Sequence, residues 1–133
     1  MNQNGKYLLD TNILIAMLAD DMIIHTPDEM QNAPKVSLPS PAIGELYYGA
    51  RKSNRPIENL TKVNRLTQRF PLISCDLETA QWYGIIKERL RRKGRPIPNN
   101  DIWIAAIALQ YDLILVTRDA HFDEVESLQT ERW

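Results

Sequence analysis

The chain holds one cysteine, Cys75, so no disulfide can form within it. Cys75 closes the run Leu72-Ile73-Ser74-Cys75, and a reducing compartment is the simpler expectation. Histidine is nearly as scarce. His25 and His121 are the only two, and no HExxH or cysteine-rich spacing surrounds them, which argues against zinc. Charge of one sign is also lacking. The 16 Lys and Arg against 17 Asp and Glu leave a net charge of −1, so attraction to nucleic acid has to come from local patches. No GxxxxGK, GxGxxG or GxSxG pattern occurs, which removes P-loop, dinucleotide-binding and nucleophile-elbow chemistries. Apolar runs are short: the longest, residues 102–109, falls well below the roughly 20 residues of a bilayer-spanning helix. The opening MNQNGKYLLD has neither the charged region nor the apolar stretch of a signal peptide, and a soluble cytoplasmic protein is expected.

What is present is an ordinary globular composition, 44% hydrophobic and 25% charged over 133 residues. One domain spanning residues 1–133 is expected, large enough to bury roughly two-thirds of its unfolded surface. Lys6-Tyr7-Leu8-Leu9 reads as a buried strand stopping at Asp10, with Asn12 capping a helix to about Ala19. Thr26-Pro27-Asp28-Glu29 resembles a capping box and predicts a short helix. Val36-Ser37-Leu38 is a second strand, followed by a helix over residues 41–52 with Ile43, Leu46, Tyr47 and Ala50 at core spacing. Pro56 starts another helix, whose stripe of Ile57, Leu60, Val63, Leu66 and Phe70 ends before Pro71.

Leu72 to Cys75 is the third strand, and Asp76 caps a helix ending at Gly94, with Trp82, Ile86 and Leu90 facing inward. Its last turns, KERLRRKGR, read as a solvated, dipole-favoured helix end or as a phosphate-binding patch. Asn99 and Asn100 are N-cap candidates for IWIAAIALQY, a helix apolar nearly all round, with Asp101 in its first turn. Leu113-Ile114-Leu115-Val116 is the clearest strand and ends in Thr117-Arg118-Asp119. Phe122, Val125 and Leu128 suggest one more short helix, and residues 129–133 an edge strand. Strands alternating with helices imply right-handed crossovers. The fold class is α/β, a three-layer α/β/α sandwich with a mostly parallel sheet of four to five strands.

Asp10 and Asp119 both close apolar strands, so both lie at the carboxyl edge of the sheet, where open α/β sheets bind ligands. Glu45 and Asp101 lie in the opening turns of helices pointing to the same edge. Each acid taken alone has a plain structural reading, Asp10 as a helix-start residue and Glu45 as a partner of the helix dipole. Together they repel: one pair 4 Å apart costs about 4 kcal/mol at an effective dielectric near 20. A hard divalent cation with oxygen ligands offsets that repulsion, and Thr11, Asn12 and Thr117 can add neutral oxygens. A phosphoaspartyl phosphatase fits poorly because DTN lacks a second Asp two residues on. A phosphoacceptor signalling domain fits poorly because no acid pair follows the first strand.

The blocks YLLDTN, ELYYGARKS, NNDIWIAAIAL and LVTRDAHF, in this order and over nearly the whole chain, resemble the PIN domain, and within it VapC-type toxins of bacterial toxin–antitoxin pairs. The resemblance implies an endoribonuclease dependent on Mg2+ or Mn2+, with catalytic and metal-binding acids at Asp10, Glu45, Asp101 and Asp119. It also implies inhibition by a cognate antitoxin, and a homodimer or a hetero-oligomer with that antitoxin. Metal-assisted hydrolysis of RNA follows, leaving a 5′-phosphate, with Thr11, Asn12, Thr117, Arg118, Arg51 and Lys52 as substrate-contacting candidates. Two alternatives remain: an RNA-processing nuclease of the same fold outside any toxin–antitoxin pair, and a non-catalytic interaction module.

Overall fold

The computed structural model describes residues 6–20 and 35–133, so the short helix expected at Thr26 to Glu29 lies outside the described residues. The elements are β1 (Tyr7–Leu9), α1 (Thr11–Asp20), β2 (Val36–Pro39), α2 (Ser40–Arg51), α3 (Pro56–Arg69), β3 (Leu72–Ile73), α4 (Leu77–Arg92), α5 (Asn99–Gln110), β4 (Ile114–Val116), a 3₁₀ turn (Ala120–Glu124) and β5 (Thr130–Glu131). The sheet has five strands in the order β3-β2-β1-β4-β5. Among the described residues every pairing is parallel, so the expected mostly parallel sheet is wholly so there.

β1 sits at the centre, with Tyr7 opposite Val36 on one side and Ile114 on the other. All residues of β1 and β4 are buried, as strands covered on both faces must be, and this is why both read as continuous apolar runs. From β1 the chain steps outward to β2 and β3, then returns across the sheet to β4 and β5. Right-handed crossovers therefore put α1, α2 and α3 on one face and α4 and α5 on the other, giving the three layers. α5 is the core helix: Ile102, Ile104, Ala105, Ala106, Ile107 and Ala108 are all buried. Each large apolar side chain so enclosed contributes about 1.5–3 kcal/mol. Trp133 packs its ring on Tyr7 at 5.1 Å, tying the chain's last residue to the central strand.

Several local expectations are corrected. α1 begins two residues earlier than an Asn12 cap allows: the Asp10 carbonyl accepts from the Ile13 and Leu14 N–H groups at 3.1 and 3.2 Å, leaving Asn12 in the first turn. Neither Asn99 nor Asn100 caps α5, because Pro98 holds the cap position without a side-chain bond and both asparagines are already helical. β3 stops at Ile73, and Cys75 is exposed, because this edge strand pairs only through Leu38 and Pro39. Trp82 is half-buried, while Ile86 and Leu90 face inward as expected. Asp76 does cap α4, in a reciprocal box with Thr79. The basic end of α4 is largely occupied. Arg91 and Arg92 pair with Glu88, Arg89 with Glu126 and Lys93 with Glu124, which favours the solvated-end reading over a phosphate patch.

Candidate metal centre

The return of the chain across the sheet creates a switch point between β1 and β4, and their carboxyl ends define a crevice there. Asp10 leaves β1 into this crevice and is only 3% exposed. Its Oδ2 accepts from Thr117 Oγ1 at 2.7 Å, just past β4. Its Oδ1 is enclosed and has no hydrogen-bond partner among the described residues. A buried acceptor left so costs about 1–3 kcal/mol, more when charged. Burial is the main force raising the Asp10 pKa above its ordinary value. The Thr117 hydroxyl and Thr11 N–H pull it back, and the charges of Asp119 and Glu45 push it up further.

Asp101 opens α5 beside it, half-buried, and its carboxyl is pushed up to about 6. Desolvation comes first, then the charges of Asp10 and Asp119; the His121 ring, with Nδ1 3.6 Å from Asp101 Oδ2, opposes them, and Glu45 adds a smaller push. These mutual effects mean that the structure brings all four expected acids together. Glu45 forms the outer wall: it is exposed, and its Oε1 accepts from Thr11 Oγ1 at 2.9 Å and from Asn100 Nδ2. Asp119 is placed by the turn after β4. Its N–H donates to Thr117 Oγ1 at 3.0 Å, and its Oδ1 accepts from the His121 N–H at 2.9 Å. Thr117 therefore links Asp10 to Asp119 through one hydroxyl.

Of the other expected site residues, Thr11 and Thr117 join the cluster as hydrogen-bond donors. Asn12 turns its Oδ1 to the Arg118 N–H at 3.4 Å, which holds the β4 turn and leaves the Arg118 side chain exposed at the rim. Arg51 and Lys52 are not brought in. They follow Glu45 by six and seven residues, about 9 Å further along the α2 axis. Lys52 Nζ instead lies 4.9 Å over the Tyr48 ring.

Two residues at the site escape the sequence reading. Asn100 bridges Glu45 to the Pro41 carbonyl, and its only signal is adjacency to Asp101. His121 lies with Nδ1 3.1 Å from Asp119 Oδ2 and 3.6 Å from Asp101 Oδ2. Its signal is its place two residues after Asp119. The donor set is mostly hard oxygen, and the enclosed Asp10 Oδ1 has no other partner among the described residues. Both suit a divalent cation.

A wholly parallel α/β sheet with acids gathered at its switch point is the PIN arrangement, and the chain belongs to the PIN-domain family, whose profile matches residues 7–128. Within that family its likenesses are to VapC proteins. It is 37% identical over 129 residues to Ribonuclease VapC2 of Haemophilus influenzae, covering 96% of this chain and 98% of that one. It is 34% identical over 129 residues to the tRNA(fMet)-specific endonuclease VapC of Shigella flexneri, with the same coverage. Among solved structures it resembles DNA-bound VapBC from Salmonella typhimurium, with a TM-score of 0.89 and 30% identity over 97% of this chain and 98% of that one.

Proposed function

We propose that the chain is an endoribonuclease dependent on Mg2+ or Mn2+ that acts as the toxin of a type II toxin–antitoxin pair in the cytoplasm. The observation that carries this reading is the enclosed Asp10 Oδ1, without a partner among the described residues, inside a cluster of four mutually repelling acids. The VapC relatives named as a ribonuclease and an endonuclease support the substrate class.

Asp10 and Asp101 are the principal metal ligands, with Glu45 and Asp119 binding directly or through water. Bound there, the ion supplies Lewis-acid chemistry, activating water for in-line attack and stabilising the departing oxygen. Thr117 fixes the Asp10 carboxylate, and Thr11 and Asn100 fix Glu45, so these acids are held before the substrate arrives. Arg118 at the rim contacts a substrate phosphate. No side-chain nucleophile is needed, and the product carries a 5′-phosphate. Purified protein is expected to cut RNA with Mg2+ or Mn2+ and to stop in excess chelator, and Asp10→Asn to remove nearly all cleavage. Undiminished cutting in chelator by both proteins would overturn the reading.

The antitoxin partner is assigned to a groove of about 350 Å³ between α1, α2 and α3, lined by Ile15, Leu18, Leu46, Asn59 and Lys62 and bordered by Glu45. Tyr48 is exposed on the outer face of α2. Tyr47, at core spacing on the same helix, is half-buried and donates to Asn64 Oδ1 at 2.6 Å, clamping α2 to α3. An antitoxin segment in this groove is well placed to send an Arg or Lys into the acid cluster and take the place of the metal. Co-expression with a small protein encoded beside it is expected to give a complex and relieve growth arrest. Neither occurring would remove the antitoxin assignment.

A further inference from the structure

The four acids do not account for His121. Its backbone N–H is bonded to Asp119 Oδ1, and its ring turns back to set Nδ1 3.1 Å from Asp119 Oδ2 and 3.6 Å from Asp101 Oδ2. One ligand atom from each of the three residues lies within 4.8 Å of the others. Metal–ligand bonds of roughly 2.1 Å put neighbouring donors of an octahedral ion about 3.0 Å apart. The His121–Asp119 distance is that of neighbouring donors, and the His121–Asp101 distance is that of a somewhat wider angle at the same ion. The mark of a cation independent of this triangle is Asp10 Oδ1, enclosed and without a partner among the described residues.

We propose that His121 is a nitrogen donor to the cation of this site and biases the site away from Mg2+ toward a first-row transition ion such as Mn2+. This rests on the metal reading given above and goes beyond it, since four carboxylates alone make a hard oxygen site. Mg2+ prefers oxygen ligands and keeps much of its water, so it gains little from an imidazole. First-row ions accept imidazole nitrogen, with affinities rising from Mn2+ toward Ni2+. A hydrogen bond between His121 and the two carboxylates would give the same interatomic distances without the metal preference, and metal binding separates the two.

The experiment compares wild type, His121→Ala and His121→Gln at one neutral pH, titrated separately with Mn2+ and Mg2+ and read by calorimetry. Loss of the nitrogen donor is expected to weaken Mn2+ binding by on the order of tenfold or more while changing Mg2+ binding by less than about twofold. The Gln variant, which offers an amide oxygen, is expected to fall with Ala in its Mn2+/Mg2+ ratio. Electron spin-echo modulation of the Mn2+-loaded wild type is expected to carry a directly coordinated ¹⁴N signal. That signal is expected to vanish in both His121 variants and persist in His25→Ala. A Mn2+/Mg2+ ratio unchanged by both substitutions, or a nitrogen signal that survives them, would overturn the assignment of His121 alone. Failure of wild type to bind either ion would overturn it together with the metal reading.

Discussion

Asp101 is the residue on which the electrostatics of the site can be measured. Its carboxyl holds a proton up to about pH 6 in the folded chain, against an ordinary value of 3.8. Between those values the folded state binds more protons than the unfolded one, so without metal its contribution to stability falls as pH rises through this window. The penalty is absent below the lower value and complete above the upper one. Asp101→Asn keeps the shape and removes the charge. In chelator it is expected to be more stable than wild type at neutral pH by on the order of 1 kcal/mol after screening. That advantage should shrink to nothing as pH falls to about 4. The variant should also lose most of the stabilisation that millimolar Mg2+ or Mn2+ gives wild type, because that gain depends on binding to the folded state. Thermal melts across pH, with chelator and with metal, check all three. A variant less stable than wild type, with its metal shift intact, would make Asp101 a helix-start residue and nothing more.

At the scale of elements, the site is a meeting of helix starts and strand ends, and the bonds between them are specific. Asn100 on α5 and Thr11 on α1 converge on Glu45 of α2, so one carboxylate holds three helices together. Asn100→Ala is expected to cost about 0.5–1.5 kcal/mol and to weaken the metal-induced melting shift, because Glu45 loses one of its two anchors. Asp76→Ala breaks the α4 capping box with Thr79, away from the crevice. It is expected to cost a comparable amount, about 0.5–2 kcal/mol, and to leave the metal shift unchanged. Equal effects of the two on the metal shift would mean that Glu45 is not held for metal binding.

The same contrast shows what a sequence makes legible. The Asp76 cap, the α3 stripe from Leu60 onward and the buried runs of β1 and β4 are local patterns, and they read correctly; Ile57, expected to open that stripe, is instead exposed in the first turn of α3. So do the acids at strand ends, because an apolar run halting at a carboxylate marks the sheet edge. The starts of α1 and α5 misread, because asparagines one or two residues inside a helix carry the same signal as caps. The approach of His121 to Asp101 has no local signal at all. It is made by a turn after β4 folding over the start of a helix on the other side of a strand.

At the scale of the whole molecule, net charge and local charge point in opposite directions. The chain is close to neutral, and the crevice is acidic. Most cations at the end of α4 are committed to neighbouring acids. RNA binding should therefore lean on a few exposed cations at the rim, Arg118 first. Arg118→Ala is expected to weaken RNA binding uniformly across sequences and to reduce the slope of log affinity against log salt by roughly one. Filter binding in chelator at several salt concentrations measures it without interference from cleavage. An unchanged slope would remove Arg118 from the phosphate-contacting set. No helix among the described residues is long and apolar enough to cross a membrane.

The central strand pairs with a segment made more than a hundred residues later: Leu9 lies opposite Val116, and Asp10 takes its hydrogen bond from Thr117. A ribosome has built most of the chain before either partner exists. During that time the first acid is exposed on a polypeptide that has no β4, no Asp119 and no closed crevice. N-terminal segments fold first during synthesis, but this site cannot. A nascent chain therefore carries Asp10 without the Thr117 hydroxyl and without the later acids, and the crevice closes only once β4 and the turn after it have been made.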